Sequence, residues 1–145
     1  MRAEGAAGAE GFAMSLLVNI DVADLAKATR FYCDALGLEV GRRFDGAIEL
    51  LGAGAPIYLL EKASGTHAFT GGAERDYQRH WTPVHLDFAV TDLPRAVARA
   101  KAAGAALEQD IEATTWGRIA MFADPFGNGF CLVEFTGRGY DAIAV

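Results

Sequence analysis

The pattern of hydrophobic and polar positions predicts a strand, a helix and three more strands in the first part of the chain. Residues 16–22 alternate as strand residues do, and residues 25–36 carry apolar side chains at helical spacing. Asp24 precedes this helix as an N-cap residue, and Gly37 follows it as a C-cap residue. Three further strands are predicted over residues 38–44, 47–52 and 56–61. This order is written βαβββ.

The same order is predicted a second time. Residues 85–93 echo residues 17–25, and each run alternates before it reaches Asp-Leu and an alanine-rich stretch. The second copy has a strand over 84–90, Asp92 as N-cap and a helix over 93–103. Its remaining strands are predicted near residues 106–111, 116–123 and 129–136. The first residue of the second copy is His85, whereas the first copy has Leu17.

These elements predict an α+β protein of two βαβββ modules at 14–62 and 83–136. A linker loop over 63–82 joins them, and residues 137–145 form a loose tail. Each sheet would have one uncovered face, which the modules would bury by pairing. Residues 1–13 are predicted to be a disordered extension because they lack the basic start and apolar centre of a secretory signal.

Composition narrows the partners. A net charge of −6 over 145 residues argues against nucleic acid, because phosphate binding requires an excess of Lys and Arg. No apolar run reaches the length of about 18 residues that a membrane span needs. Cys33 and Cys131 show no Cys-x-x-Cys spacing and are expected to be reduced, as in a cytoplasmic protein.

Several motifs recur in characteristic places: Asp-Leu at the start of each helix, Phe31-Tyr32, Leu36-Gly37-Leu38, and Asp124-Pro125-x-Gly127-Asn128 before a strand that contains Glu134. Together they resemble the vicinal oxygen chelate superfamily. This superfamily includes glyoxalase I, extradiol dioxygenases and bleomycin resistance proteins. The resemblance implies that the two modules form a cup-shaped mixed-sheet barrel. It also implies a divalent metal held by residues of the first and last strand of each module.

The resemblance places the four ligand positions on Leu17, Glu61, His85 and Glu134. Three of these side chains can bind Ni²⁺, Zn²⁺, Mn²⁺ or Fe²⁺, and Leu17 cannot. Glu61 and Glu134 are also the candidate catalytic bases, as resemblance to the lyase branch implies. Each glutamate ends an otherwise apolar strand face, where an uncompensated carboxylate is costly. Glu61 is equally compatible with a solvated strand end.

Four further residues are candidates for substrate binding. Asn19 and Asp87 share strand faces with Leu17 and His85, respectively. Trp116 and Arg118 share one strand face. In a binding site they would form an aromatic wall and an anchor for an anionic group. The alternative is a core aromatic residue and a solvated arginine.

The linker supplies further candidates. His67 and His80 are possible sources of a further metal-binding nitrogen, and Tyr77, Arg79 and Trp81 are candidates for a lid.

The leading functional hypothesis is a metal-dependent lyase or isomerase that chelates a small oxygenated metabolite. One alternative is a metal-free binding protein like the bleomycin resistance proteins. The other is a ring-cleaving extradiol dioxygenase, which a site of one histidine and two carboxylates does not favour. A homodimer is expected by analogy with the superfamily.

Overall fold

The computed structural model describes residues 13–145, which contain two modules with the predicted βαβββ order. The first module comprises β1 (Val18–Val22), α1 (Leu25–Leu36), β2 (Glu39–Phe44), β3 (Ala47–Leu51) and β4 (Ile57–Glu61). The second comprises β5 (Leu86–Ala89), α2 (Leu93–Ala102), β6 (Ala106–Ala113), β7 (Gly117–Ala123) and β8 (Gly129–Phe135). The α+β fold class is therefore confirmed.

Side-chain caps determine where both helices begin. The Asp24 carboxylate accepts a hydrogen bond from the Lys27 amide, and the Asp92 carboxylate accepts one from the Arg95 amide. Each bond satisfies an amide that has no partner within its helix. Gly37 ends α1 in the left-handed conformation, with φ +71°, as the sequence predicts for a C-cap glycine.

Each module forms one four-stranded mixed sheet, with strand orders β1-β4-β3-β2 and β5-β8-β7-β6. The first strand of each module runs parallel to the last, and the other neighbours are antiparallel. Within residues 13–145 no strand of one sheet pairs with the other, so β1 and β5 are both edge strands. The described chain therefore holds two separate sheets and no closed barrel.

The two faces of each sheet have different environments. We call the side on which the helix packs the helix face; it carries the buried core residues of β3, β4, β7 and β8. These are Ile48, Leu50, Ile57, Leu59, Ala120, Phe122, Phe130 and Leu132. Because strand side chains alternate, the residues between them point to the opposite face. In these four strands, the residues that alternate with the core residues therefore lie on the face opposite the helix.

The modules contact each other through their helices and through one buried hydrogen bond. The rings of Phe31 in α1 and Phe130 in β8 pack edge to face, with centroids 6.4 Å apart. The Tyr32 hydroxyl donates to Asp124 Oδ2 at 2.5 Å, between β7 and β8. Burial, followed by the negative charge of Asp124, raises the pKa of Tyr32 well above its usual value. The phenol therefore stays protonated and keeps donating.

The linker lies against the turn between β7 and β8. A Cβ atom placed on Gly127 would come within 2.1 Å of the Gln78 carbonyl oxygen, so only a glycine permits this approach. The His80 amide donates to the Gly127 carbonyl at 3.2 Å, and His80 Nε2 lies 3.1 Å from Asn128 Oδ1. The linker backbone is therefore held against the second module.

The structure describes the C-terminal end of the chain but not its first twelve residues. Apart from Ala13, the predicted disordered extension over 1–13 lies outside the described residues. The tail contains a 3-10 turn, Gly139–Ala142, whose Tyr140 packs against Trp116 and Phe135. Among residues 13–145, no helix combines the length and the hydropathy that crossing a membrane requires.

The close approach at Gly127 is testable with a matched pair of variants. Gly127 and Gly46 have nearly equal φ values, +83° and +80°, but nothing lies within 4 Å of a Cβ on Gly46. Gly46→Ala should cost roughly 1–2 kcal/mol of unfolding free energy, the price of a left-handed alanine. Gly127→Ala should cost at least about 1–3 kcal/mol more, because the linker must move. Urea denaturation measures both, and equal losses would contradict the contact.

Candidate functional site

A cavity of about 950 Å³ lies between the edges of β1 and β5. Residues 16–21 form one wall, residues 84–86 and Phe88 form another, and residues 74–80 of the linker close a third side. Tyr32 and Phe130 reach it from the interior. Its volume falls within the range of small-molecule sites, which is about 300–1,000 Å³.

Both arginines at the cavity wall are paired with carboxylates. Arg75 Nε lies 2.7 Å from Asp21 Oδ2, which joins the linker to β1. Arg79 donates from Nε and Nη2 to the Glu108 carboxylate, at 2.5 and 2.8 Å. These pairs compensate both arginines, while Glu74 and Asp76 also line the cavity, so its lining does not favour an anionic ligand.

The residues predicted to form a lid have different environments. The Tyr77 hydroxyl donates to the Lys62 carbonyl at 2.6 Å, and its ring packs edge to face on Phe126. Arg79 is held by Glu108, whereas Trp81 is 73% exposed. Tyr77 and Arg79 therefore form part of a fixed wall, and closure of a lid stays a prediction for Trp81 alone.

Glu61 lies on the helix face, at the end of β4. Its Oε2 atom accepts a hydrogen bond from the Leu25 amide at 2.9 Å, at the first residue of α1. A carboxylate at a helix N-terminus is stabilised by the amides and the helix dipole there. This contact accounts for Glu61 without a metal and directs its carboxylate to α1.

Glu134 and Arg118 also lie on the helix face and form an ion pair with each other. They are directly opposite in the β7–β8 register, and Arg118 Nε donates to Glu134 Oε1 at 2.8 Å. This arginine compensates the buried carboxylate, which is the role that the sequence assigned to a metal. Arg118 is therefore engaged within its own sheet, and it does not line the 950 Å³ cavity.

Trp116 belongs to an aromatic cluster at the chain end. Its ring lies 5.7 Å from the ring of Phe135 and 5.3 Å from that of Tyr140, measured between centroids. Neither Trp116 nor Arg118 reaches the cavity, so the structure does not place them with a ligand there. Of the four predicted substrate-binding residues, only Asn19 lines that cavity.

A different set of donors surrounds His85 on the opposite face of the second sheet. His85 Nδ1 lies 3.4 Å from Asp87 Oδ1, and Asp87 stands opposite Cys131 in the β5–β8 register. One ligand atom from each of the three residues lies within 4.8 Å of the others. Among residues 13–145, this is the one such group of three, and Glu61 and Glu134 are not in it.

Burial suppresses ionisation of the Cys131 thiol. Its removal from water, together with the nearby Asp87 carboxylate and a hydrogen bond to it, raises the pKa of Cys131 to about 11. The thiol is therefore protonated at neutral pH and is a poor nucleophile. Nitrogen, oxygen and sulfur donors in one place nevertheless suit a cation that binds thiolate.

Cys131 is the residue that the sequence analysis missed, although the chain contained the signal. Phe130 and Leu132 are apolar and belong to the core, which assigns their parity, and that of Glu134, to the helix face. Cys131 then faces the same side as Asp87. Fixing that parity first would have placed Cys131, and not Glu134, on the same sheet face as His85 and Asp87.

The remaining histidines are not part of this donor group. His67 Nδ1 lies 2.7 Å from the Gly72 carbonyl oxygen, within the linker. His80 lines the cavity but contacts Gln78 and Asn128 through its two ring nitrogens. Neither histidine supplies the missing nitrogen that the linker was a candidate to provide.

The equivalent place in the first module holds a different network. Tyr58 stands opposite Asn19 as Cys131 stands opposite Asp87. Its hydroxyl donates to Glu49 at 2.9 Å and accepts from Arg42 at 3.0 Å. Hydrogen bonds from Arg42 lower the pKa of Glu49 to about 2, so this network carries a permanent ion pair. The two modules therefore share a fold and differ in chemistry.

The paired βαβββ modules, with a polar group on the first and last strands of the second module, define a protein of the vicinal oxygen chelate class. A family model described as a glyoxalase-like domain matches residues 17–133. The chain therefore belongs to the family of glyoxalase-like domains, which confirms the resemblance seen in the sequence. No functionally curated protein matches it.

Several solved structures share the fold. The fosfomycin resistance protein FosX from Listeria monocytogenes is 21% identical, with a TM-score of 0.67 and coverage of 86% of this chain and 95% of that one. TnmS3, an antibiotic binding protein from a Streptomyces species, is 24% identical, with a TM-score of 0.64 and coverage of 86% and 98%. A glyoxalase/bleomycin resistance protein/dioxygenase family enzyme from Burkholderia phytofirmans is 20% identical, with a TM-score of 0.63 and coverage of 82% and 96%.

The placement of Glu134 leads to a test. Glu134→Ala removes the partner of Arg118, so the free energy of unfolding should fall by about 1–2 kcal/mol, while the metal content of the purified protein should not change. Glu39→Ala, at an exposed glutamate of β2, is the control and should stay within about 0.5 kcal/mol of the parent. Unchanged stability together with loss of bound metal would restore Glu134 as a ligand.

Proposed function

We propose that this protein binds a neutral, largely apolar organic molecule in the cavity between β1 and β5, and that binding rather than turnover is its activity. The observation that carries the proposal is the lining of this cavity. Apolar side chains dominate its two strand walls, and the two arginines of the linker wall are compensated by Asp21 and Glu108, while Glu74 and Asp76 also line that wall. A largely apolar molecule without negative charge loses the least solvation on entering such a site.

The environments of the two predicted catalytic bases also favour binding. The Glu61 carboxylate is held at the start of α1, and the Glu134 carboxylate is held by Arg118. A general base must reach the proton that it removes, and neither group lines the cavity. The fold neighbour TnmS3 carries the name antibiotic binding protein. A ligand of that kind, sequestered without reaction, is consistent with the site.

The proposal is tested with Nile red, a neutral flat dye whose emission rises in apolar surroundings. Leu17 lines the cavity and Leu51 does not, although both leucines lie at strand ends and are about half exposed. Leu17→Asp should weaken dye binding at least about tenfold, or 1.4 kcal/mol, because it places a charge in the cavity. Leu51→Asp is the matched control and should bind as the parent does.

Added chelator separates binding from metal-dependent catalysis. The dye affinity should be unchanged by a chelator, and antibiotics that raise the melting temperature should be recovered intact by mass spectrometry. Equal effects of the two leucine variants on dye affinity would contradict binding in this cavity. Conversion of a bound compound, lost on chelation, would replace binding by enzymatic turnover.

The metal-dependent lyase or isomerase remains the second candidate, because His85, Asp87 and Cys131 lie together near the cavity. A metal held there would act as a Lewis acid towards a bound oxygen. His85, which lines the cavity, would orient the bound ligand beside it. The extradiol dioxygenase stays a weaker prediction, because its two-histidine, one-carboxylate set is not present among the described residues at this place.

We also propose a homodimer, in which a second copy covers apolar side chains at the rim of the cavity. Val84 is 83% exposed and lines the cavity together with Leu17, and Trp81, three residues before Val84, is 73% exposed. Such neighbouring apolar groups are typical of association surfaces. Light scattering should give twice the 15.4 kDa mass for the parent and the single mass for Val84→Asp. A monomeric parent would refute the dimer.

A further inference from the structure

We propose that His85, Asp87 and Cys131 form a binding site for one thiophilic divalent cation such as Zn²⁺. This site lies entirely within the second module. This site adjoins the cavity at His85, but metal binding to it does not depend on the ligand binding proposed above. It differs from the ligand set that the family resemblance implied, since the first module contributes no donor to it.

The backbone brings the three donors together. His85 and Asp87 are two residues apart at the start of β5, so they point to the same face. Asp87 and Cys131 are partners in the parallel β5–β8 ladder, where neighbouring strands are about 4.8 Å apart. The three ligand atoms consequently lie within 4.8 Å of one another without any rearrangement of the backbone.

The distances match a tetrahedral ion. Zn²⁺ binds histidine nitrogen and carboxylate oxygen at about 2.0–2.2 Å, so two such ligands at a tetrahedral angle are roughly 3.4 Å apart. His85 Nδ1 and Asp87 Oδ1 are 3.4 Å apart in the structure. The Zn–S bond is longer, about 2.3 Å, so a tetrahedral site places its sulfur roughly 3.6 Å from each of the other two donor atoms. The Cys131 sulfur lies within 4.8 Å of both.

The donor types select among metals. A thiolate favours Zn²⁺ and other soft or borderline cations over Mg²⁺, Ca²⁺ and Mn²⁺, which prefer oxygen. Asp87 has no Lys or Arg ion-pair partner within residues 13–145, in contrast to Glu134, which has Arg118. A bound cation would compensate that carboxylate.

One coordination position would remain open. Three protein ligands leave a fourth tetrahedral place, which in metal sites of this kind is filled by water or by a ligand. A small cavity of about 60 Å³ adjoins His85 and Cys131 and is also lined by Trp81 and Met121. This space is sufficient for a water molecule.

The first module shows what the site requires. Its equivalent positions hold Leu17, Asn19 and Tyr58, and Tyr58 is engaged by Glu49 and Arg42. No group of three donors forms there among the described residues. The two modules therefore share the βαβββ fold, and at these equivalent positions they differ in their side chains.

The test uses tag-free protein stripped of metal by chelator and then titrated with Co²⁺ and with Zn²⁺. Co²⁺ should give a near-ultraviolet thiolate charge-transfer band and intense tetrahedral visible bands, saturating at one equivalent per chain. Zn²⁺ should displace it, and Mn²⁺ should not. Cys131→Ser should abolish the charge-transfer band and weaken Zn²⁺ binding at least about tenfold, since even outer-sphere partners contribute that much.

Cys33→Ser is the matched control, because it removes the other thiol, which is half-buried in α1, and should leave the band intact. His85→Ala changes an exposed side chain, so it keeps the test valid if Cys131→Ser fails to fold. It should lower the affinity while the circular dichroism spectrum stays that of the parent. Absence of stoichiometric Co²⁺ binding, a band that survives Cys131→Ser, or preferred binding of Mn²⁺ would overturn the proposal. Because these measurements use no organic ligand, dye binding can succeed or fail independently.

Discussion

The alternation of side chains across each sheet is the constraint on which the rest of the structure depends. Once the helix covers one face, regularly paired strand residues of one parity point towards the helix and residues of the other parity point away from it. Phe130 and Leu132 fix the parity of β8, so Glu134 is placed with the core and Cys131 with Asp87. The chemistry of the second module follows from this assignment.

The duplication supplies two similar backbones, and the side chains make them unequal. In the second module, a histidine, a carboxylate and a thiol converge on one face. In the first, Tyr58 is hydrogen-bonded to an ion pair, and Leu17 and Asn19 lie at the edge formed by β1. The free edges of β1 and β5 then enclose a cavity whose lining is mainly apolar at the strands. The proposed ligand site and the proposed metal site therefore adjoin each other in the same molecule.

Much of the fold could be predicted from the sequence, because caps and periodicity are local properties. Asp24 and Asp92 start the helices where the pattern places them, and the order of elements along the chain is as predicted in both modules. The candidate site could be predicted less completely from the sequence. Arg118 and Glu134 are 16 residues apart, and their pairing depends on the β7–β8 register. Likewise, the Glu61 contact with Leu25 joins the end of one element to the start of another.

The central claim is that parity brings Cys131, and not Glu134, to His85. X-ray absorption at the zinc edge of protein loaded with one equivalent of Zn²⁺ tests it most directly, because the spectrum identifies the bound atoms. The account predicts one sulfur at about 2.3 Å, with nitrogen and oxygen at about 2.0–2.2 Å completing the shell. A shell of nitrogen and oxygen alone would contradict it.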